Sequence, residues 1–185
     1  MINRERALQL LHQHIKTQNI IKHLLASEAL MKVLARKLNQ DEEQWGLVGL
    51  LHDLDWDYTK TEPTKHAVMS AEMLKNEDLT DEMRSAIKIH NYVLGLEPQT
   101  PLEKALYSCE AMTGFIVAVT LVQPSKKLKD VTADSIMRKY KEKSFGAGAK
   151  REIINKVQEY LGISVEELAK ICLEAMQGIS DQLGL

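Results

Sequence analysis

Gly46-Leu47-Val48-Gly49-Leu50-Leu51-His52-Asp53-Leu54-Asp55 is an apolar run with two glycines that ends abruptly in an adjacent imidazole and carboxylate. An ordinary core helix has no need to end that way, because a buried polar group without a partner costs about 1–3 kcal/mol. A His and an Asp side by side can both reach one cation, the imidazole through nitrogen and the carboxylate through oxygen. His52 and Asp53 are therefore the centre of a candidate metal site, and other parts of the chain must deliver its remaining ligands.

Six histidines occur, and their placement separates them. His12 and His14 are two apart on a helical pattern and cannot share a face, so they read as solvated surface groups. His23 lies in the apolar stripe that Ile20, Leu24, Ser27, Met31, Leu34 and Leu38 continue. His90 follows Met83, Ala86 and Ile87 at helical spacing and points inward. His66 is expected in the first turn of a helix, on the face that Met69, Ser70 and Met73 extend. Any one of these is more often a satisfied core histidine than a ligand. Four inward histidines on four helices are a poor way to build a core, and a shared cation would satisfy them together. Glu110 joins them, one turn after Leu106 and one turn before Gly114 in an apolar stretch, because buried carboxylates are rare unless paired or bound to a cation.

The elements that must position these groups are helical. Ala7, Leu8, Leu11 and Ile15 mark a first amphipathic helix, and a second is expected over about 19–38, stopped by a left-handed Asn39. Asp41 and Gln44 suggest a capping box opening a buried helix over about 42–53. Thr64 is expected to cap a helix over 65–76, and Thr80 the next. Thr100-Pro101-Leu102-Glu103 is the strongest start signal, opening a helix to about 122. Its β-branched 115–119 portion, read alone, would pass for a strand. Helices over 133–141, 150–161 and 165–177 follow, with Gly162 ending the second of these and Ser164 and Glu167 opening the last. The expected fold is all-α, a single domain over 1–185 of about nine helices with the metal site in its core.

Composition narrows the function classes. Over 185 residues, 44% are hydrophobic and 27% charged, which is ordinary globular usage. A formal charge of −2 gives no electrostatic case for a nucleic acid polymer or an anionic membrane. Cys109 and Cys172 form no CxxC pair, which argues against a thiolate zinc site and is compatible with a reducing cytosol. The longest apolar run, near 115–122, is under half the ~20 residues that span a bilayer, and the charged N-terminus does not read as a secretory signal. A cytoplasmic protein is expected. Lys126, Lys127, Lys143 and Arg151 read as solvated charge and stay outside the site. Asp55 and Asp57 are expected at the pocket mouth, and Trp45 and Trp56 as packing residues.

The order His23, then His52-Asp53, then Glu110 on an all-α chain resembles the HD-domain superfamily of metal-dependent phosphohydrolases, in particular its small stand-alone bacterial HDIG-type members. His23-Leu24-Leu25-Ala26, Gly49-Leu50-Leu51-His52-Asp53-Leu54-Asp55, Lys65-His66 and Ile89-His90-Asn91 echo their pattern. So do Thr113-Gly114-Phe115-Ile116-Val117-Ala118, Pro124-Ser125-Lys126-Lys127 and Lys143-Ser144-Phe145, so that the likeness covers about 4–160. The resemblance implies a metal held by His23, His52, Asp53 and Glu110, the last where the family usually has Asp, with His66 and His90 available for a second ion. Asp53, His66 and His90 are the expected catalytic residues.

Nitrogen and oxygen donors suit manganese, iron, cobalt, nickel or zinc, with magnesium admissible, as one or two ions. The implied activity is cleavage of a phosphoester of a small molecule, a nucleotide among the candidates, by metal-activated water. The alternative is a non-catalytic HD-fold signalling module that binds a nucleotide or a protein partner. The chain lacks the Gly-Tyr-Pro signature of cyclic dinucleotide phosphodiesterases after His90, and the Glu-Asp of guanosine tetraphosphate hydrolases after the His-Asp pair.

Overall fold

The computed structural model describes residues 1–185, which form helices and turns without a strand. The helices are α1 (Arg4–His14), α2 (Gln18–Lys37), α3 (Glu42–Leu51), α4 (Trp56–Thr59), α5 (Val68–Met73), α6 (Asp81–Ile89), α7 (Pro101–Cys109), α8 (Ala111–Leu121), α9 (Ala133–Lys141), α10 (Arg151–Ile154), α11 (Val157–Leu161), α12 (Val165–Gln177) and α13 (Ser180–Leu183). Nine remain when the one-turn segments α4, α10, α11 and α13 are set aside, in line with the expected all-α fold. The 115–119 portion is helical.

Local signals explain most boundaries. The Thr100 hydroxyl accepts from Glu103 N while the Glu103 carboxylate returns to the Thr100 N–H, and Pro101 fills the first helical position. Thr80, Asp41 and Ser164 cap α6, α3 and α12 through their side chains. Asn39 (φ 55°) and Gly162 (φ 70°) take the left-handed conformation after α2 and α11. Thr17 makes no side-chain cap for α2. Asp57 fixes the chain entering α2, accepting the Lys16 and Thr17 N–H groups at 2.7 and 3.1 Å.

Three boundaries differ from expectation, and all three shape the site. Helix α3 stops at Leu51, so His52 and Asp53 lie in the turn that leaves it. Thr64 caps nothing: α5 begins at Val68, preceded by Ala67 at φ 69°, and His66 sits in the turn before the helix rather than in its first turn. The 100–122 helix is interrupted at Glu110. There the Glu110 carbonyl accepts both Thr113 N (3.0 Å) and the Thr113 hydroxyl (2.9 Å), bonds over three residues that tighten the turn.

One apolar cluster of 42 buried residues runs from Ala7 to Leu183. Helix α3 sits at its middle, touching α1, α2, α6 and α7, while α12 packs across α2, α8 and α9. The closest crossing is that of α3 with α2: a Cβ on Gly49 would stand 2.6 Å from the Ser27 carbonyl oxygen. The glycine lets α3 approach far enough to bring His52 against His23 of α2. The Pro101–Leu121 stretch is long and apolar enough to cross a bilayer by composition, more so than the 115–122 run suggested. Here 61% of its most apolar window is buried inside the protein, the packing of a core element.

Candidate metal centre

The four inward histidines meet. His23 comes from α2, His52 from the end of α3, His66 from the turn before α5, and His90 from the end of α6. His52 stacks edge-to-face with His23 (ring centroids 5.1 Å) and with His90 (4.8 Å), and His66 with His90 (5.2 Å). His12 and His14 stay outside, His12 exposed and His14 beside the Tyr58 hydroxyl.

Each ring has its Nδ1 engaged from behind. His52 Nδ1 donates to the Gly49 carbonyl (2.9 Å) and His90 Nδ1 to that of Ile87 (2.5 Å). His66 Nδ1 donates to Asp55 Oδ1 (3.0 Å). His23 Nδ1 lies 3.0 Å from the Thr113 hydroxyl, whose own proton goes to the Glu110 carbonyl, so the ring donates here too. With every Nδ1 carrying its proton, the neutral rings all present an Nε2 lone pair to the interior.

Those lone pairs converge on acids and on one another. Asp53 Oδ1 lies 3.2 Å from His90 Nε2, 3.4 Å from His66 Nε2 and 3.5 Å from His52 Nε2. None of these rings has a proton to offer it, and this buried oxygen has no hydrogen-bond partner. His23 Nε2 faces His52 Nε2 at 3.2 Å and Glu110 Oε2 at 3.3 Å, with Asp53 Oδ2 at 3.8 Å. Two overlapping groups, His23–His52–Glu110 and His52–Asp53–His90, keep their donor atoms within 4.8 Å of one another. An unsatisfied carboxylate oxygen ringed by nitrogen lone pairs is the donor set of a divalent cation, and the residues present fit one.

Electrostatics agree. Burial drives the His52 pKa down to about 4, so the ring stays neutral and able to ligate. Burial opposes charge on His23 as well, but the Glu110 and Asp53 carboxylates outweigh it and raise that pKa. Burial would raise the Asp53 carboxyl, yet any charge that His52, His90 or His66 takes up beside it holds it below the usual range. Glu110 is held down against burial by His23. A proton and a cation compete for the same atoms here.

Several surrounding residues differ from expectation. Asp55 is fully buried rather than at a pocket mouth. Beyond His66 it accepts the Ala67 N–H (2.7 Å) and the Ser70 N–H (3.3 Å), replacing the cap Thr64 does not provide. Asn91 donates to the Pro63 and His66 carbonyls at 2.7 and 3.0 Å and holds the same loop from its other side. The available signal was an acid two positions beyond the His-Asp pair in an apolar segment. Asp57, as described, holds the entry to α2. Trp45 is a core residue, whereas Trp56 stands edge-on to His66 at 5.5 Å and faces the cavity.

The centre opens on a cavity of about 580 Å³ that His23, Asp53, His66, His90 and Glu110 line. Its one lysine or arginine is Lys60, which sequence reasoning missed. Arg151 lies elsewhere: its guanidinium stacks on Phe115 and Tyr140 and donates to the Tyr140, Glu142 and Phe145 carbonyls, tying down the loop that brings Gly146 and Gly148 to the cavity.

The interior histidine–carboxylate centre of this helical chain could hold a metal ion, and comparison narrows its class. The family model of the HD domain matches residues 20–113, just over half of the chain, and the chain belongs to that family. Its members are generally metal-dependent hydrolases. Ribonuclease Y of Lawsonia intracellularis (strain PHE/MN1-00) is 28% identical over 106 residues, 57% of this chain. The match spans only 20% of that curated relative's length. No solved structure matches.

Proposed function

We propose that the protein is a phosphohydrolase that cleaves a phosphoester of a small molecule, a nucleotide among the candidates, at this centre. The observation that carries the reading is Asp53 Oδ1, buried without a partner among three imidazole lone pairs at the floor of an open cavity. His23, His52, Asp53 and Glu110 would hold one cation, and His66 and His90 a second, with Asp53 placed between the two groups. A divalent cation supplies polarisation of water and neutralisation of charge on phosphoryl oxygens. The donor set favours manganese, iron, cobalt, nickel or zinc over magnesium.

The chain's own groups do the rest. Asp53 would offer its carboxylate oxygens to both groups of donors. Where a single ion binds, His66 or His90 would first take a second proton at Nε2 and then give it to the leaving oxygen. Lys60 meets the substrate phosphate as a point charge.

The relative named ribonuclease suggests an RNA phosphodiester as a competing substrate. A bound strand needs a cationic groove along its backbone, and one lysine at the cavity with a net charge of −2 does not supply it. The second reading, a binding module without turnover, shares the metal site and differs in activity alone.

Elemental analysis of purified wild type, His52→Ala and Asp53→Ala tests the site, with most of the bound metal lost in both variants; equal content in all three removes it. A screen of nucleotides and sugar phosphates with added Mn, Co, Ni or Mg, with Asp53→Ala as control, tests the activity. Metal retention without turnover of any compound favours the binding module.

A further inference from the structure

We infer that the face of α8 bearing Ala111, Gly114 and Ala118 is a subsite for an aromatic ring in the substrate's body, and that Gly114 sets its depth. The inference rests on the proposed reading for the phosphate end of that substrate and goes beyond it in naming what the phosphate is attached to.

Gly114 lies inside an eleven-residue helix, where glycine is disfavoured relative to alanine. Glycine in such a place usually answers a close approach, as Gly49 does against Ser27. Gly114 answers none: a Cβ built there meets nothing within 4 Å. Its φ is not in the left-handed region either. What Gly114 does border is the cavity, together with Ala111 and Ala118 at i−3 and i+4 on the same face. Side chains larger than methyl on this face would fill the space, so the small residues keep it open.

The same cavity reaches the candidate metal centre. Asp53 is only 5% exposed, its Oδ1 lacks a partner, and it lines the same cavity. Glu110, adjacent to Ala111, carries the same helix to His23. The small-residue face thus begins where the metal centre ends, and a molecule with its phosphate at the centre must lay its body along α8.

The remaining walls define that body. Trp56, edge-on to His66, and Tyr92, 42% exposed, both line the cavity. Aromatic walls favour offset or edge-to-face contact with another ring. Lys60 is the one cation available to a phosphate besides the metal centre, which suits one phosphate group rather than a polyphosphate chain.

The test uses the full chain loaded with manganese and two non-hydrolysable probes, phenylphosphonate and methylphosphonate, with binding read by titration calorimetry. Wild type is expected to prefer the phenyl compound by about tenfold, the size of a modest ring contact. Gly114→Leu should reduce that preference to less than about threefold while methylphosphonate affinity and metal content hold. Gly114→Ala, which the helix welcomes, should melt no lower than wild type and show an intermediate preference; it serves if the leucine variant does not fold.

Absence of a phenyl preference in wild type, its persistence in both variants, or failure of either probe to bind overturns the subsite. A phenyl preference that Gly114→Leu abolishes, in a protein that turns over no phosphoester, supports the subsite and overturns the hydrolase reading instead.

Discussion

Asp55 holds His66 by both the ring and the backbone next to it: Oδ1 takes His66 Nδ1–H at 3.0 Å, and Oδ2 takes the Ala67 N–H at 2.7 Å. One buried carboxylate thereby fixes the imidazole and the left-handed turn that carries it. Carboxylates behind ligating histidines typically contribute 10–100-fold to metal affinity. Asp55→Asn offers a single oxygen to three N–H donors and turns an NH2 group toward one of them. Calorimetric titration with Mn²⁺ should show the ion nearest His66 weakened about 10–100-fold, while the ion at His23, His52 and Glu110 still binds. An unchanged isotherm removes Asp55 from this role.

The two glycines before the His-Asp pair make a controlled comparison. A Cβ at Gly49 would lie 2.6 Å from the Ser27 carbonyl oxygen, which is backbone and cannot yield without moving α2. A Cβ at Gly46 would meet the Lys32 side chain at 2.6 Å, which can swing away. Urea unfolding should show Gly49→Ala destabilised by about 1–3 kcal/mol and Gly46→Ala changed far less. Equal losses would mean that the α2–α3 crossing does not depend on close backbone approach.

Lys60 is the lysine at the cavity, and α4 ends on it. If it meets the phosphate in ground state and transition state alike, Lys60→Ala should raise KM with little change in kcat. The reverse split, a fallen kcat at constant KM, would assign it to the transition state alone.

Glu28 lies apart from the metal centre and gives a pH test. It is almost fully buried, with Arg4 Nε and Lys32 Nζ each 2.6 Å from Oε1. Burial would raise its pKa, yet these two cations hold it below the ordinary value. A depressed folded pKa means that the carboxylate stabilises the fold above the unfolded pKa, and that this is lost as pH falls through the lower folded value. Melting temperatures from pH 7 downward should therefore show wild type and Glu28→Gln converging in acid. A constant gap would show that the charge is not what Glu28 contributes.

The centre was legible where chemistry sat on a helical stripe. His23, His52 and His90 could be read from the spacing of their apolar neighbours, and Glu110 from its oddity in an apolar run. The details were not legible where tertiary contacts overrode local propensity. Thr64 has the right residue type for a cap, but Asp55 reaches across the turn and sets the helix start at Val68 instead. The break at Glu110 depends on how Thr113 turns its hydroxyl. Lys60 looked like any surface lysine, because only the closing of α2, α6 and α8 around α4 makes its position a cavity. The family's expected Asp is Glu here, and the Glu110 carboxylate still comes within 3.3 Å of His23.

The four imidazoles are not braced alike. His52 and His90 lean on carbonyls three residues back in their own helices, so their orientation arrives with the helices themselves. His23 depends on Thr113, ninety positions away, and His66 on a carboxylate across a loop. An ion held here would join two rings braced from elsewhere in the chain, His23 and His66, to two already set by their own helices. Its contribution to folding should therefore appear in the joints between elements, leaving α3 and α6 much as they stand without it.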